Sequence, residues 1–292
     1  MDLRLLRYFA VVADERNFGR AANRLHMTQP PLSRAIRRLE RDLGAVLLER
    51  SPRGVTLTSA GEALYREARD LLERADRTRA RVAEAAGGMS VTIGTLADSV
   101  RETGSRLARA FREQHPAVPV TVREADFGDP SAGLHAGVVD LALTLLPFDT
   151  TGLRTRVLRT DPVGAVLRLD DPLAGRAGIS LADLADRQWF RFPDTTDPLW
   201  CEFWTGAAPP HASRPVVRTA SECLQAVVWN NTVGLIPLSH DLPEGLTAVP
   251  LVDQPPTELV VAWRADDGNP LVRSLVRMAV DGHQDATESS SQ

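Results

Sequence analysis

The chain contains no lysine, so all 34 of its basic residues are arginine, which reads as a base-composition bias rather than a functional feature. It has only two cysteines, Cys201 and Cys223, too few for a disulfide framework or a cysteine-built metal site, and this fits a reducing cytoplasm. No stretch approaches the roughly 18 apolar residues of a membrane helix. The N-terminal MDLRLLRYFAVVADE carries acids among its apolar residues, which excludes the uninterrupted apolar block of a secretory signal. There is no Walker A loop, GxGxxG, HExxH, CxxC or GxSxG motif. His115, His135, His211 and His240 are scattered and read as surface or capping residues. No enzyme, cofactor or metal is therefore expected. With 292 residues, 43% hydrophobic and 25% charged, the chain has the composition of a globular protein of two or three domains.

The net charge of −4 hides a segregation. Residues 1–58 hold eleven arginines and six acids, a balance of +5, whereas the remainder carries −9. A small basic module joined to a large acidic one suggests a part that faces nucleic acid and a part that avoids it.

The basic module reads as three helices and a hairpin. Leu3, Leu6, Phe9, Ala10 and Ala13 recur at helical spacing. Asn17 is placed to cap a second helix with Phe18, Ala21, Ala22 and Leu25 inward. After a turn at His26-Met27, Thr28 caps a third helix with Pro30 and Pro31 in its first turn, where a missing N–H costs little. Leu32, Ile36, Leu39 and Leu43 form its buried stripe. Gln29, Ser33, Arg34, Arg37 and Arg38 remain on the outer arc. A recognition helix enters the major groove N-terminus first. Gln, Ser and Arg there can read base edges, and the arginines further along suit phosphate. Gly44 ends the helix. Val46–Arg50 and Val55–Thr58 read as two strands about the turn Ser51-Pro52-Arg53-Gly54, a wing with Arg53 at its tip.

The run NFGRAANRLHMTQPPLSRAIRRLERDLGAVLLERSPRGVTLTSAG resembles the DNA-binding region of LysR-type transcriptional regulators. The QPPLSR version is similar to the branch that includes regulators of aromatic degradation. The resemblance implies that Gln29, Pro30, Ser33 and Arg34 face DNA, with Arg53 in the wing.

Ser59-Ala60-Gly61-Glu62 reads as a capping box that opens a long helix. Residues 60–86 contain no proline, and Leu64, Ala68, Leu71, Ala75, Thr78 and Val82 recur at alternating spacings of four and three. Such a narrow seam is that of a coiled coil and calls for a second copy of the chain. Gly87-Gly88 marks its end. The expected domains are a winged helix-turn-helix over 1–58, a linker and dimerisation helix over 59–88, and an effector-binding domain over 89–280. A polar tail over 281–292 is expected to be disordered.

Beyond Gly88, strand-like and helix-like segments alternate, which predicts parallel sheets covered by helices. The strands are expected at 91–94, 118–122, 139–146, 163–167, 216–219, 233–236 and 259–263. The helices are expected at 99–114, 133–137, 181–185, 221–229 and 271–280. The segments VTIGTL, FREQHPAVPVTV, GVVDLALT, DDPLAG, ISLADLAD and VGLIPLS resemble the effector domain of the same family, itself similar to periplasmic binding proteins. The resemblance implies an α/β fold of two subdomains, about 89–162 with 264–280 and about 163–263, with a small ligand between them. Asp98 and Ser99, Phe127, and the turn Asn230-Asn231-Thr232 would line that cleft. Asp98 stands where relatives carry a hydroxyl, and a carboxylate there disfavours an anionic effector and welcomes an amine or hydroxyl donor. Phe127 stands where a threonine is common. Asn230 is expected to supply the positive φ of a turn that is glycine-rich in relatives.

The expected partners are double-stranded DNA, a small-molecule effector and further copies of the chain as homodimer or homotetramer. RNA polymerase is a further candidate partner, and no membrane is expected. A rival reading within the family is a peroxide sensor, since Cys201 falls in the cleft-side loop where such relatives keep a reactive cysteine. Their resolving cysteine has no counterpart near Ala208-Pro209.

Overall fold

A computed structural model describes residues 2–25, 27–51, 54–85, 89–96, 101–206 and 214–289. The chain divides into two compact units, residues 1–87 and 88–292.

In the first unit, α1 (Leu3–Glu15) starts at Asp2, whose carboxylate accepts the Arg4 backbone N–H at 2.8 Å. The Asn17 side chain caps α2 (Phe18–Arg24) by accepting the N–H groups of Gly19 and Arg20 at 2.8 and 3.0 Å. Helix α3 (Gln29–Leu43) begins at Thr28, but the Thr28 hydroxyl makes no capping bond. The reason is in the sequence: the two N–H groups such a cap would satisfy belong to Pro30 and Pro31, which have none. Leu32, Ile36 and Leu39 are buried against Leu6, Phe9, Val12, Phe18 and Ala21. The expected fourth member of that stripe, Leu43, is 41% exposed, because the last turn of α3 runs past the core before Gly44 ends it at φ +66°.

The wing is β1 (Leu48–Ser51) and β2 (Gly54–Leu57), antiparallel from Leu48 opposite Leu57 to Ser51 opposite Gly54. It starts two residues later than the sequence suggested, and Val46 is left exposed. Helix α4 (Ser59–Ala85) is 27 residues long. Its cap falls one residue earlier than expected, since Thr58, not Ser59, accepts the Gly61 N–H at 3.0 Å while donating its own hydroxyl to the Val46 carbonyl at 2.8 Å. Ala68 is fully buried in the core of the first unit, with Leu64, Tyr65 and Leu72 packed against it. The first half of the expected dimer seam thus serves the chain's own core. Further along the same helix, Leu71 and Val82 are 37% and 63% exposed.

The second unit holds two sheets. The first is built from β3 (Val91–Leu96), β4 (Val120–Ala125), β5 (Leu141–Leu146), β6 (Leu153–Asp161) and β11 (Thr257–Arg264), in the order β4-β3-β5-β11-β6. The second is built from β7 (Val163–Arg168), β8 (Gln188–Trp189), β9 (Thr232–Pro237) and β10 (Leu246–Pro250), in the order β10-β7-β9-β8. Helices α5 (Arg101–Gln114), α6 (Pro198–Thr205), α7 (Ala220–Asn230) and α8 (Pro270–Ser289) complete the unit. Leu107 and Phe111 on α5 are buried against the first sheet's core, as their spacing implied.

Several expectations are corrected here. The sheets are mixed, not parallel: β5–β11, β11–β6, β10–β7 and β7–β9 are all antiparallel. The chain crosses to the second sheet at Asp161-Pro162 as expected. It returns before Thr257, because β11 pairs with β5 and β6, so the second subdomain ends near Leu251 and not at Trp263. Residues 133–137 are a series of turns, with Ala132, Gly133 and Gly137 at positive φ, which a helix cannot accommodate. Leu181–Leu184 is a single 3-10 turn capped by Ser180. Residues 216–219 contribute one bridge, Val216 to Arg191, and no strand. Helix α8 continues through Ser289, into the segment expected to be disordered.

Where α4 begins, its backbone lies directly on the wing. A Cβ added at Gly61 would stand 2.1 Å from the Leu47 carbonyl oxygen, and neither backbone can give way. Gly61→Ala is therefore expected to destabilise the first unit by about 1–3 kcal/mol, read as a lowered midpoint of thermal unfolding of the full chain. An unchanged midpoint would contradict this packing.

Candidate DNA-reading face and effector cleft

The face that α3 turns outward is polar and cationic. Gln29, Pro30, Arg34, Arg37 and Arg38 are exposed, and Ser33 is half-buried between them. Three residues behind this arc, at Leu32, Ile36 and Leu39, hold the helix to α1 and α2. Some of the module's charge is neutralised elsewhere. Arg24 pairs with Asp14 and Glu15 at 3.6 and 3.1 Å, and Arg20 with Glu15 at 3.4 Å. On α3 itself, Arg38 reaches Asp42 only at 3.8 Å across exposed side chains, a weak pair that leaves the guanidinium able to turn to a phosphate.

One acidic residue of α3 has a structural task that sequence reasoning missed. The Glu40 carboxylate accepts the backbone N–H groups of both Leu47 and Leu48, at 3.0 and 3.3 Å, and so ties the root of the wing to the recognition helix. On its other side the wing is held by the Val55 N–H, which donates to the Arg16 carbonyl at 3.0 Å. Gly54 is pressed there: it sits at φ +130°, with its missing Cβ only 2.9 Å from that same carbonyl. Arg53, at the expected wing tip, lies outside the described residues.

The second unit carries a cleft between its two sheets, about 580 Å³ with its open mouth included. Leu96, Phe127 and Leu145 line it from the first sheet's side. Phe190, Phe192, Trp200, Trp204, Cys223, Leu224, Leu235 and His240 are among those lining it from the second. Phe127, a sequence-derived site residue, stands in its wall, edge-on to Phe192 at 5.5 Å and 5.7 Å from Trp200. Its backbone N–H donates to the Arg218 carbonyl at 2.8 Å, and Arg218 reaches Asp126 at 3.4 Å, so the two subdomains are stitched at this point.

Other expectations fare differently. Asp98 and Ser99 lie outside the described residues. The turn Asn230-Asn231-Thr232 closes the far end of α7, away from the cleft, which is lined by that helix from Ala220 to Val227. Asn230 and Asn231 are exposed there. The positive φ of that turn, +52°, falls on Asn231 and not on Asn230. His240, expected to be a surface residue, lines the cleft. The aromatic wall escaped the sequence reading because the segment around Cys201 reads there as a cleft-side loop. Trp200 and Trp204, four residues apart behind Asp197-Pro198, instead lie on a capped helix, and Asp197 accepts the Leu199 N–H at 2.8 Å.

Cys201 is thus on helix α6, half-buried, with its thiol directed at the Thr196 carbonyl at 3.9 Å. Burial, then the nearby Asp197, raises its pKa; burial, then Glu222, raises that of Cys223 further. Both changes disfavour the thiolate, which is the reactive species, and so count against a peroxide sensor.

Residues 3–62 match the model of the bacterial regulatory helix-turn-helix protein, lysR family, and residues 84–284 match the LysR substrate binding domain. A helix-turn-helix with an effector-binding domain of this kind defines a DNA-binding transcription regulator, not an enzyme. The chain belongs to the LysR family, whose members bind DNA and small-molecule effectors and form oligomers. It is 31% identical over 293 residues to the transcriptional regulator BudR of Raoultella terrigena, covering 95% of this chain and 100% of the relative. It is 28% identical over 285 residues to BenM of Acinetobacter baylyi, covering 94% of each. The crystal structure of full-length BenM superposes with a TM-score of 0.52 at 25% identity, covering 98% of either chain. Among the described residues no helix is long and apolar enough to cross a membrane.

Both thiols should therefore be slow to alkylate. At pH 7.5 Cys223 is expected to react with iodoacetamide about tenfold or more slowly than free cysteine, with Cys201 intermediate, because each unit of raised pKa removes about nine-tenths of the thiolate. Mass spectrometry after timed quenching reads both sites. A Cys201 faster than free cysteine would revive the redox reading.

Proposed function

We propose that the chain binds a two-part operator as an oligomer, with α3 in the major groove, and that an effector in the aromatic cleft modulates this binding. The observation that carries the reading is the division of α3 into a buried stripe and an exposed arc of Gln29, Pro30, Arg34, Arg37 and Arg38. Gln29, Ser33 and Arg34 occupy the leading end, where side chains meet base edges. Arg37 and Arg38 follow on the same face, where phosphates run past a helix in the groove. Pro30 packs the first turn close to the duplex, and Arg53 reaches the backbone or a minor groove from the wing. Residues 1–58 act as the reader, 59–88 as the dimerising helix and 89–280 as the sensor.

Pairing through α4 uses its exposed C-terminal half. Leu64 and Ala68 are committed to the chain's own core, so the contact between copies rests on Leu71, Ala75, Thr78 and Val82. A single reader makes few contacts, and two joined readers gain affinity through effective concentration without any new contact. An effector can alter this only by binding one arrangement of the assembled protein better than another.

Operator fragments selected from random DNA provide the test. Arg34→Ala is expected to cost about 1–3 kcal/mol on the selected site and to relax preference at one base position, in anisotropy titrations at two salt concentrations. Normal operator binding by this variant would remove α3 from the groove. Leu71→Glu with Val82→Glu is expected to lower the oligomeric state in light scattering and to weaken operator binding far more than binding to a single half-site. An unaltered oligomer would refute the α4 seam.

A further inference from the structure

Five aromatic rings line the cleft: Phe127, Phe190, Phe192, Trp200 and Trp204. The rest of the described lining is aliphatic, proline or glycine, apart from the Cys223 thiol and His240. The rings also join the two walls. Phe127, from the first sheet's side, meets Phe192 edge-on at 5.5 Å and Trp200 at 5.7 Å, both from the second. A guest that enters between them has to replace these ring contacts. An apolar surface does so, and a hydrated ion does not.

Charged residues that flank this lining in sequence are engaged with the protein itself. Asp126, beside Phe127, accepts the Gly128 N–H at 2.8 Å and is reached by Arg218 at 3.4 Å. Glu222, beside Cys223, accepts the Arg218 backbone N–H at 2.6 Å. Arg191, between Phe190 and Phe192, is not a lining residue and pairs with Asp194 at 2.8 Å. Burial raises the pKa of the Cys223 thiol, so the wall carries no thiolate near neutral pH. An ion entering here would shed its hydration and find these counter-charges already taken.

From this we infer that the cleft selects an uncharged effector with an apolar body, and that Phe127 is a specificity determinant for it. The inference rests on the reading of the cleft as the effector site. The guest's body packs between Phe127 on one wall and Phe192 and Trp200 on the other. Anions and cations of the same shape are both disfavoured, because selection comes from the loss of hydration and not from the sign of a charge.

Ethylbenzene, benzylamine and benzoate share one ring and differ in charge: at pH 7.5 they are neutral, cationic and anionic. Calorimetry with these three probes is run on the full-length chain, on Phe127→Arg, which brings a guanidinium to the wall, and on Leu224→Trp, which adds bulk to it. Ethylbenzene is expected to bind at least about tenfold tighter than either ion. In Phe127→Arg, benzoate should gain at least about tenfold relative to ethylbenzene, while benzylamine gains nothing. Leu224→Trp should abolish binding of all three, and Ala220→Phe serves the same end if that variant does not fold. An order led by benzoate or benzylamine, equal binding of all three, or an unaltered benzoate ratio in Phe127→Arg would overturn the inference and leave the cleft as the effector site. Binding that persists in the filled-cleft variant, or no binding by any probe, would overturn both.

Discussion

The carboxylate of Glu40 holds together the two pieces of the first unit that have to meet DNA at once. By accepting the N–H groups of Leu47 and Leu48 it fixes the root of the wing to the last turn of the recognition helix. Charge-assisted bonds of this kind are among the stronger ones a half-buried group can make. The rest of the module follows from that tie. The wing can be short because it need not find its own position. Its outer strand is then closed by the Arg16 carbonyl, where only glycine fits at position 54. Helix α4 springs from the same place, with Thr58 bridging Val46 and Gly61. Reader, wing and the start of the long helix are therefore tied to one another within the first unit.

The acidic excess of the remaining chain complements this arrangement. Much of it is spent in local structure: Asp171 with Arg187 at 2.8 Å, Asp161 with Arg159 at 2.8 Å, and Asp183 and Asp197 at helix starts. These pairs and caps hold the second unit's own turns and helix starts, and the described lining of its cleft contains no aspartate, glutamate or arginine. The two parts of the protein thus differ in the physics they use. One presents exposed guanidiniums on a helix face; the other holds a cleft whose described lining is mainly aromatic and aliphatic.

Most of the first unit was legible in its residues because its elements obey local rules. Asn17, Gly44 and the stripe of Leu32, Ile36 and Leu39 each declare a boundary or a face. What failed there failed for stated local reasons: two prolines deprive Thr28 of anything to cap, and Thr58 takes the role assigned to Ser59. In the second unit the helix periods were readable, but sheet membership depends on distant partners. Strand β6 illustrates the limit. Its register against β11 shifts between Leu259 and Val260, so Leu158 is unpaired and buried and the alternation changes phase midway. That broken period hid a nine-residue strand. Of the described residues expected around the cleft, Phe127 stands in its wall and the Asn230-Asn231-Thr232 turn does not. The Asn230-Asn231-Thr232 turn leads from a helix into a strand, at the opposite end of α7 from the part that lines the cleft. The aromatic wall of α6 sits on a helix of only eight residues, too short for its period to stand out against the loops around it.

The central claim is that two copies of α3 read DNA in register, joined through α4. Hydroxyl-radical footprinting of the full-length chain on a fragment selected from random sequence tests it most directly. Two protected patches on the same face of the duplex, separated by about one helical turn or a multiple of it, are expected. A single protected patch, or two patches on opposite faces, would contradict the account.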